Sequence, residues 1–170
     1  MSNHELLEAY ADVVDAPVIS QIKQLGSKLE GKKVVHVNST RSGGGVAEIL
    51  NRFVPLMQGI GIDSRWEVIQ GEEQFFEVTK GIHNALQGNT VDIKENQWSL
   101  FESVNKHAAN ELADSLQDAD FFFIHDPQPC PLLSHFPERR GKWIWRCHID
   151  VSRPHRKTWR TIKKYVNNYD

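Results

Sequence analysis

The chain has 170 residues, of which 39% are hydrophobic and 25% are charged, and its 20 Lys and Arg residues nearly balance its 22 Asp and Glu residues. This composition predicts one compact globular domain over residues 1–170, excludes a disordered or fibrous chain, and argues against a broad nucleic-acid surface. No long apolar run and no amino-terminal signal pattern occur, so we expect no membrane contact and a cytoplasmic location.

Two kinds of hydrophobic pattern alternate along the chain after residues 1–15, which are predicted to be an amino-terminal arm. Strands are predicted at residues 33–37, 64–70, 121–124 and 143–145, where β-branched and aromatic residues cluster between turn residues. Helices are predicted at residues 18–29, 46–57, 75–86 and 100–112, where apolar residues recur every three or four positions. The alternation predicts an α/β fold with a Rossmann-like parallel sheet and helices on both faces.

The spacing also assigns particular residues to buried surfaces. The apolar face of the first helix is predicted to consist of Val18, Ile22, Leu25 and Leu29, and that of the second helix of Val46, Ile49, Leu50, Phe53, Val54 and Met57. The unbroken run at residues 121–124 is typical of a strand that is covered on both faces.

Polar residues follow three of the predicted strands. These are residues 38–45, 125–129 and 147–150. Ligands of open α/β sheets bind outside the carboxyl ends of the strands, so we expect the three segments to meet at one site.

The glycines Gly43, Gly44 and Gly45 have two interpretations. Their backbone could approach a phosphate closely, since the next helix offers free N–H groups and the positive end of its dipole. Alternatively, a tight turn that needs a positive φ explains them equally well.

Two histidines end strands, and each has a carboxylate nearby. His125 and His148 could bind a phosphate or a sugar hydroxyl, with Asp126 and Asp150 fixing their tautomers, or they could be ordinary structural histidines. Asp126 could instead cap a helix beginning near Pro129.

Three other charged residues are also ambiguous. Glu48 either compensates the helix dipole or accepts a ligand hydroxyl. Arg146 could pair with a phosphate or with Asp150, and Arg41 is equally undecided.

Four segments together resemble a known family. They read Val-His-Val-Asn-Ser-Thr-Arg-Ser-Gly-Gly-Gly-Val-Ala-Glu at residues 35–48, His-Asn-Ala-Leu-Gln-Gly at 83–88, His-Asp-Pro-Gln-Pro at 125–129 and Trp-Arg-Cys-His-Ile-Asp at 145–150. The chain resembles the trehalose synthase branch of the group 1 (family 4) retaining glycosyltransferases, from about residue 18 to its end. The resemblance implies the amino-terminal half of a two-domain GT-B enzyme that makes trehalose from a nucleotide diphosphate glucose and glucose. No tightly bound cofactor is implied, although magnesium commonly accompanies the donor.

The resemblance also implies roles for residues. The three glycines would lie against the donor diphosphate and the acceptor, and His148, with Asp150, would be catalytic. The implied substrate-binding or loop-holding residues are Glu48, His83, Asn84, His125, Asp126, Gln128 and Arg146. No covalent protein nucleophile is implied, because the departing phosphate oxygen can take the acceptor proton.

Such enzymes are about twice as long as this chain, so the carboxyl-terminal domain that binds the nucleotide is an expected partner. We therefore expect the chain to be inactive alone and to self-associate through its uncovered wall.

Two further functions stay open at this stage. A metal-dependent hydrolase could use His125, Asp126, Cys147, His148 and Asp150 as ligands, although they form no compact ligand motif. A non-catalytic sugar-binding or nucleotide-binding module is the other alternative. The cysteines, Cys130 and Cys147, are too few for a disulfide framework and are expected to be buried thiols.

Overall fold

A four-stranded parallel sheet forms the centre of the protein. The computed structural model describes residues 3–170, and side chains from residue 6 onward. The strands are β1 (Lys33–Asn38), β2 (Asp63–Val68), β3 (Phe121–His125) and β4 (Lys142–Arg146). They lie in the order β2-β1-β3-β4, and His36 of β1 is opposite Trp66 of β2 and Phe123 of β3. The predicted parallel α/β sheet is confirmed.

Helices cover both faces of this sheet, as predicted. They are α1 (Asn3–Glu8), α2 (Ala16–Ser27), α3 (Gly45–Gly59), α4 (Glu73–Leu86), α5 (Glu95–Glu111), α6 (Ala113–Gln117) and α7 (Arg156–Val166), with 3-10 turns at Ala9–Asp12 and Leu132–His135. Helix α3 lies on one face, while α4, α5 and α7 pack on the other. Over residues 3–170, we find no helix with both the length and the apolarity needed to cross a bilayer.

The main core lies on the α4–α5–α7 face of the sheet. Val35 of β1, Phe122 of β3 and Trp143 of β4 are neighbours in the strand register and are almost completely buried there. The Phe122 and Trp143 rings stack with their centroids 4.3 Å apart. The alternation of side chains along each strand sends the neighbouring residues to the α3 face.

The α3 face is less completely covered than the sequence predicted. Phe121 and Phe123 are only half-buried, so the expectation that their strand is covered on both faces is wrong. Leu50 and Val54 of α3 are buried as predicted, whereas Ile49 and Phe53 of the same predicted face are exposed. The buried face of α3 is therefore narrower than predicted.

Helix α2 is rotated from the predicted orientation. Val18, Leu25 and Leu29 are exposed and Ile22 is half-buried, whereas Ile19 and Gly26 are buried. A Cβ atom on Gly26 would lie 3.0 Å from the Ile60 side chain. The helix therefore packs through its glycine, because only a residue without a side chain allows this close approach.

The residues predicted to be an arm contain helical structure. Helix α1 packs against α3, and the Leu7 side chain is 3% exposed. A 3-10 turn at Ala9–Asp12 connects this helix to the segment before α2.

The packing predicts a large difference between two phenylalanines. Phe122→Ala removes a completely buried ring that stacks on Trp143, and should lower the free energy of unfolding by about 3–5 kcal/mol. Phe76→Ala removes a ring that is 39% exposed and should cost about 1 kcal/mol or less. Urea unfolding followed by circular dichroism measures both values, and equal losses would contradict this assignment of the core.

Candidate functional site at the carboxyl edge of the sheet

A crevice of about 600 Å³ opens at the carboxyl edge of the sheet, between the segments that follow β1 and β3. From β1 the chain crosses to β2 on one side, and it later returns to β3 on the other side of β1. The connections therefore diverge at this point, which leaves the space where ligands of open α/β sheets bind.

Most of the predicted site residues meet in this crevice. Those that line it are Gly43, Gly44, Gly45, His83, Asn84, His125, Asp126 and Gln128. The segments after β1 and β3 and one helix contribute these residues, whereas the predicted third segment, residues 147–150, does not line the crevice.

Four predicted residues do not line the crevice. Glu48 is exposed in the first turn of α3, and Arg146 is exposed at the end of β4. Asp150 is exposed, and its carboxylate accepts a 2.8 Å hydrogen bond from the Ser152 N–H, which lowers the pKa of the Asp150 carboxyl. Arg146 and Asp150 do not form the suggested ion pair in the described chain. His148 is half-buried beside His125.

The three glycines, which we call the glycine loop, differ in backbone conformation. Gly43 has a φ of +73°, a conformation that favours glycine. Gly44 has an extended backbone, and a Cβ atom on any of the three would meet nothing within 4 Å. The turn alone thus explains Gly43 but not Gly44 and Gly45.

The glycine loop begins from a rigid anchor. Asn38 is buried at the end of β1, donates to the Thr40 carbonyl at 2.9 Å and accepts from the Trp66 indole N–H at 2.7 Å. The Arg41 guanidinium lies 4.5 Å above the Trp66 ring and donates to the Trp66 carbonyl. Arg41 is thereby held against β2, and the loop leaves the strand in one defined direction.

Helix α4 forms the opposite wall of the crevice. Phe76, Thr79, Lys80, His83 and Asn84 lie on one side of this helix and line the crevice. The sequence analysis missed Phe76 and Lys80. Their spacing from His83 and Asn84, by one and two helical turns, was the available signal.

Three histidines form a continuous hydrogen-bonded row, which we call the histidine chain. His36 Nδ1 lies 3.0 Å from His125 Nε2, and His125 Nδ1 lies 2.8 Å from His148 Nε2. His36 and His125 are 1% exposed. Burial, and then the positive charge of Arg146, lowers the pKa of His36 to about 4.

The pKa of His125 is lowered further, to about 3, by burial and by the charges of His36, His148 and Arg146. Burial also lowers the pKa of His148, while the Asp126 charge opposes that shift. The three rings are therefore neutral at pH 7.

Asp126 joins the ends of two strands. Its carboxylate accepts from the His148 backbone N–H at 2.6 Å, and its carbonyl accepts from the Trp145 indole at 2.9 Å. The helical turn that follows is the 3-10 turn Leu132–His135, which has Pro131 at its N-cap and no side-chain cap, so the proposed capping role of Asp126 is wrong. The expectation that Asp126 fixes the His125 tautomer is also wrong, because both ring nitrogens of His125 face other histidines.

A buried asparagine of α5 fixes the segment that carries Gln128. The buried Asn105 of α5 donates to the Gln128 carbonyl at 3.0 Å and to the Phe101 carbonyl at 2.9 Å. This fixes the backbone of Gln128 while its side chain lines the crevice.

The metal-hydrolase alternative lacks a ligand cluster. Throughout the described part of the chain, no group of three or more His, Cys, Asp or Glu side chains is arranged to hold a metal ion. The histidine nitrogens point at one another rather than at a common centre. Cys130 is buried as expected, but Cys147 is half-buried, and burial raises the pKa of both thiols.

The chain matches a family model described as the N-terminal domain of trehalose synthase, over residues 36–170. This match includes the glycine loop, the histidine chain and the α4 wall.

Curated relatives extend this similarity. The chain is 47% identical over 165 residues to the trehalose synthase of Thermococcus litoralis and 44% identical over 170 residues to that of Pyrococcus horikoshii. These alignments cover 96% and 99% of this chain but only 39% and 40% of the relatives, so the chain spans about two fifths of their length. A trehalose phosphorylase of Pleurotus pulmonarius is 30% identical over 159 residues, which cover 85% of this chain and 21% of that relative.

The lowered histidine pKa values predict a loss of stability in acid. Unfolded histidines bind protons below pH 6.5, whereas folded His36 does so only below about 4, so the unfolded chain binds more protons between these values. Stability present above pH 6.5 should therefore fall as the pH drops. His36→Phe should make this slope shallower by up to about 1.4 kcal/mol per pH unit.

Urea unfolding at intervals from pH 8 to pH 5 measures the slope, and the pH 8 value isolates the packing effect of the substitution. Identical slopes in the two proteins would contradict a neutral, buried His36.

Proposed function

We propose, from the fact that this chain belongs to the family of trehalose synthase N-terminal domains, that it is the acceptor-side domain of a retaining glucosyltransferase. The reaction joins glucose from a nucleotide diphosphate glucose to free glucose and gives trehalose. In this proposal the chain is one of two Rossmann-like domains of a GT-B enzyme. The observation that carries the proposal is the open glycine loop at the start of α3, which shares one crevice with His125 and α4.

The glycine loop suits the diphosphate of the donor. The first N–H groups of α3 have no partners within the helix, and the positive end of the helix dipole lies at the same place. Without Cβ atoms, Gly44 and Gly45 allow phosphate oxygens to approach these groups. Lys80 adds a positive charge from the opposite wall.

The remaining lining suits a sugar. His83, Asn84 and Gln128 offer hydrogen-bonding groups to hydroxyls, and the partly exposed ring of Phe76 offers an apolar surface. A hexose has both kinds of surface, so we assign it to the space between α4 and the Gln128 segment.

The domain acts mainly by positioning. The departing phosphate oxygen takes the proton of the acceptor hydroxyl on the same face of the sugar, so no residue here needs to form a covalent bond. We propose that His148 contacts the donor side. Asp150 holds the segment after β4 through Ser152, which suits a loop-positioning role beside His148.

The carboxylates of the described chain do not fit a magnesium site. Asp126 is engaged by the His148 N–H, Asp150 is exposed, and neither belongs to a cluster of ligands. We therefore place any magnesium ion with the donor diphosphate and derive no step through it.

The crevice is one wall of a larger site in this proposal. It is open to solvent, and water weakens the attraction between a diphosphate and the helix amides. A second domain would exclude that water and align the anomeric carbon with the acceptor hydroxyl. The larger size of the relatives supports such a partner.

Three glycine variants separate backbone strain from ligand contact. Gly44→Val should keep its stability, because its backbone is extended and its surroundings are open, yet lose binding of pyrophosphate and trehalose. Gly31→Val, at a φ of +71° and outside the crevice, should lose about 1–3 kcal/mol of stability and keep binding. Gly43→Val should lose both.

NMR titration of each variant with pyrophosphate and with trehalose measures binding, and thermal unfolding measures stability. Normal binding by folded Gly44→Val would contradict the proposed contact with the glycine loop.

The division into two domains is tested by turnover. The chain alone should make no trehalose from labelled nucleotide diphosphate glucose and glucose. A chimera that joins it to the remaining part of the Thermococcus litoralis trehalose synthase should do so. That remaining part alone is the control. Steady trehalose formation by this chain alone, or a folded chimera inactive with every donor base, would contradict the proposal.

A further inference from the structure

The histidine chain reaches deeper into the fold than the crevice. His36 lies in the middle of β1, where its ring stacks on Phe123 with centroids 5.1 Å apart and meets the edge of Phe53 at 5.7 Å. Its remaining nitrogen, Nε2, lies 3.4 Å from the sulfur of Met57. The proposed function assigns no role to His36 or Met57.

The Met57 sulfur sets a direction for the chain of hydrogen bonds. A thioether can accept a hydrogen bond but cannot donate one, so His36 Nε2 must carry the proton that faces it. A neutral imidazole has one donor and one acceptor, so His36 Nδ1 accepts from His125 Nε2. By the same rule, His125 Nδ1 accepts from His148 Nε2.

This assignment of donors and acceptors holds only while all three rings are neutral, and the groups around the rings keep them neutral. The aromatic rings of Phe53 and Phe123 pack against His36, and the positive charge of Arg146 lowers the pKa of all three histidines. The carboxylate of Asp126 is the one nearby negative group among those that shift these pKa values, and it acts on His148.

We infer that Met57 and His36 are positioning residues that act through His125 and hold His148 as the tautomer with its proton on Nε2. His148 Nδ1, which has no hydrogen-bond partner within the described residues, is then an acceptor. A hydroxyl can donate to this nitrogen, whereas an unprotonated phosphate oxygen cannot. The assignment of this hydroxyl to a sugar rests on the proposed function. The direction of the hydrogen bonds along the histidine chain does not.

Reversal of the hydrogen-bond direction along the histidine chain would have a specific consequence. For His148 Nδ1 to carry a proton, each histidine must exchange its donor and acceptor, and His36 Nε2 would present a lone pair to the sulfur. A half-buried residue in α3 thereby controls which hydrogen bonds the histidine after β4 can make, two rings away.

The experiment is a long-range nitrogen–proton correlation spectrum of the histidine rings in the nitrogen-15-labelled chain at pH 7. We expect His36, His125 and His148 all to carry their proton on Nε2. His148→Asn, which removes one ring, assigns its signals. A wild-type spectrum with the proton of His148 on Nδ1 would overturn the inference without any further variant.

A conservative substitution then tests the role of the sulfur. Met57→Leu keeps the volume but removes the acceptor, so the bias should weaken and His148 should show a mixture of both tautomers. Val54→Ala removes buried carbon atoms one turn earlier in α3 and should leave the tautomers unchanged. Unchanged tautomers in folded Met57→Leu, or an equal change in both variants, would show that the sulfur does not set the direction.

Addition of trehalose separates this inference from the proposed function. A shift of the His148 Nδ1 signal supports both. The expected tautomers with no response to trehalose would contradict the sugar site and leave the direction of the chain supported.

Discussion

The site depends on the position of β1 between β2 and β3 in the parallel sheet. Because β2 and β3 lie on opposite sides of β1, the segments after β1 and β3 diverge and leave the crevice between them. The parallel register places His36 beside Phe123, so His125, two residues further along β3, points from the same face of the sheet. The glycine loop and the histidine chain thus follow from one topology.

Buried and half-buried polar groups fix the segments around the crevice, in addition to hydrophobic packing. Asn38, Asn105 and Asp126 each connect two segments by hydrogen bonds and leave the residues beside them free to face the crevice. The buried histidines His36 and His125 also connect segments by hydrogen bonds. They cost stability in acid, but their mutual hydrogen bonds hold ring orientations that an apolar core could not specify.

The sequence predicted the four strands, their parallel direction and the meeting of the polar segments after β1 and β3, since short-range patterns and strand polarity determine these features. It did not predict the rotation of α2, because the contact of Gly26 with Ile60 joins segments far apart in sequence. His36 was missed because a histidine within a hydrophobic strand resembles an ordinary core residue until its neighbours are known. Phe76 and Lys80 are spaced by helical turns from His83 and Asn84, but this spacing indicates a site only once α4 is known to line the crevice.

The glycine loop and the outer end of the histidine chain, which lies beside the crevice at His148, have opposite hydrogen-bonding character. The start of α3 presents N–H donors and a positive dipole end, which favour an anion. The histidine chain, with the direction inferred for it, ends in a nitrogen that accepts and therefore favours a hydroxyl. A ligand that satisfies both must carry a negatively charged group and a hydroxyl-bearing group close together, as a sugar joined to a diphosphate does. An inorganic anion or a free sugar satisfies only one of them, so the difference between the glycine loop and His148 is itself a source of specificity.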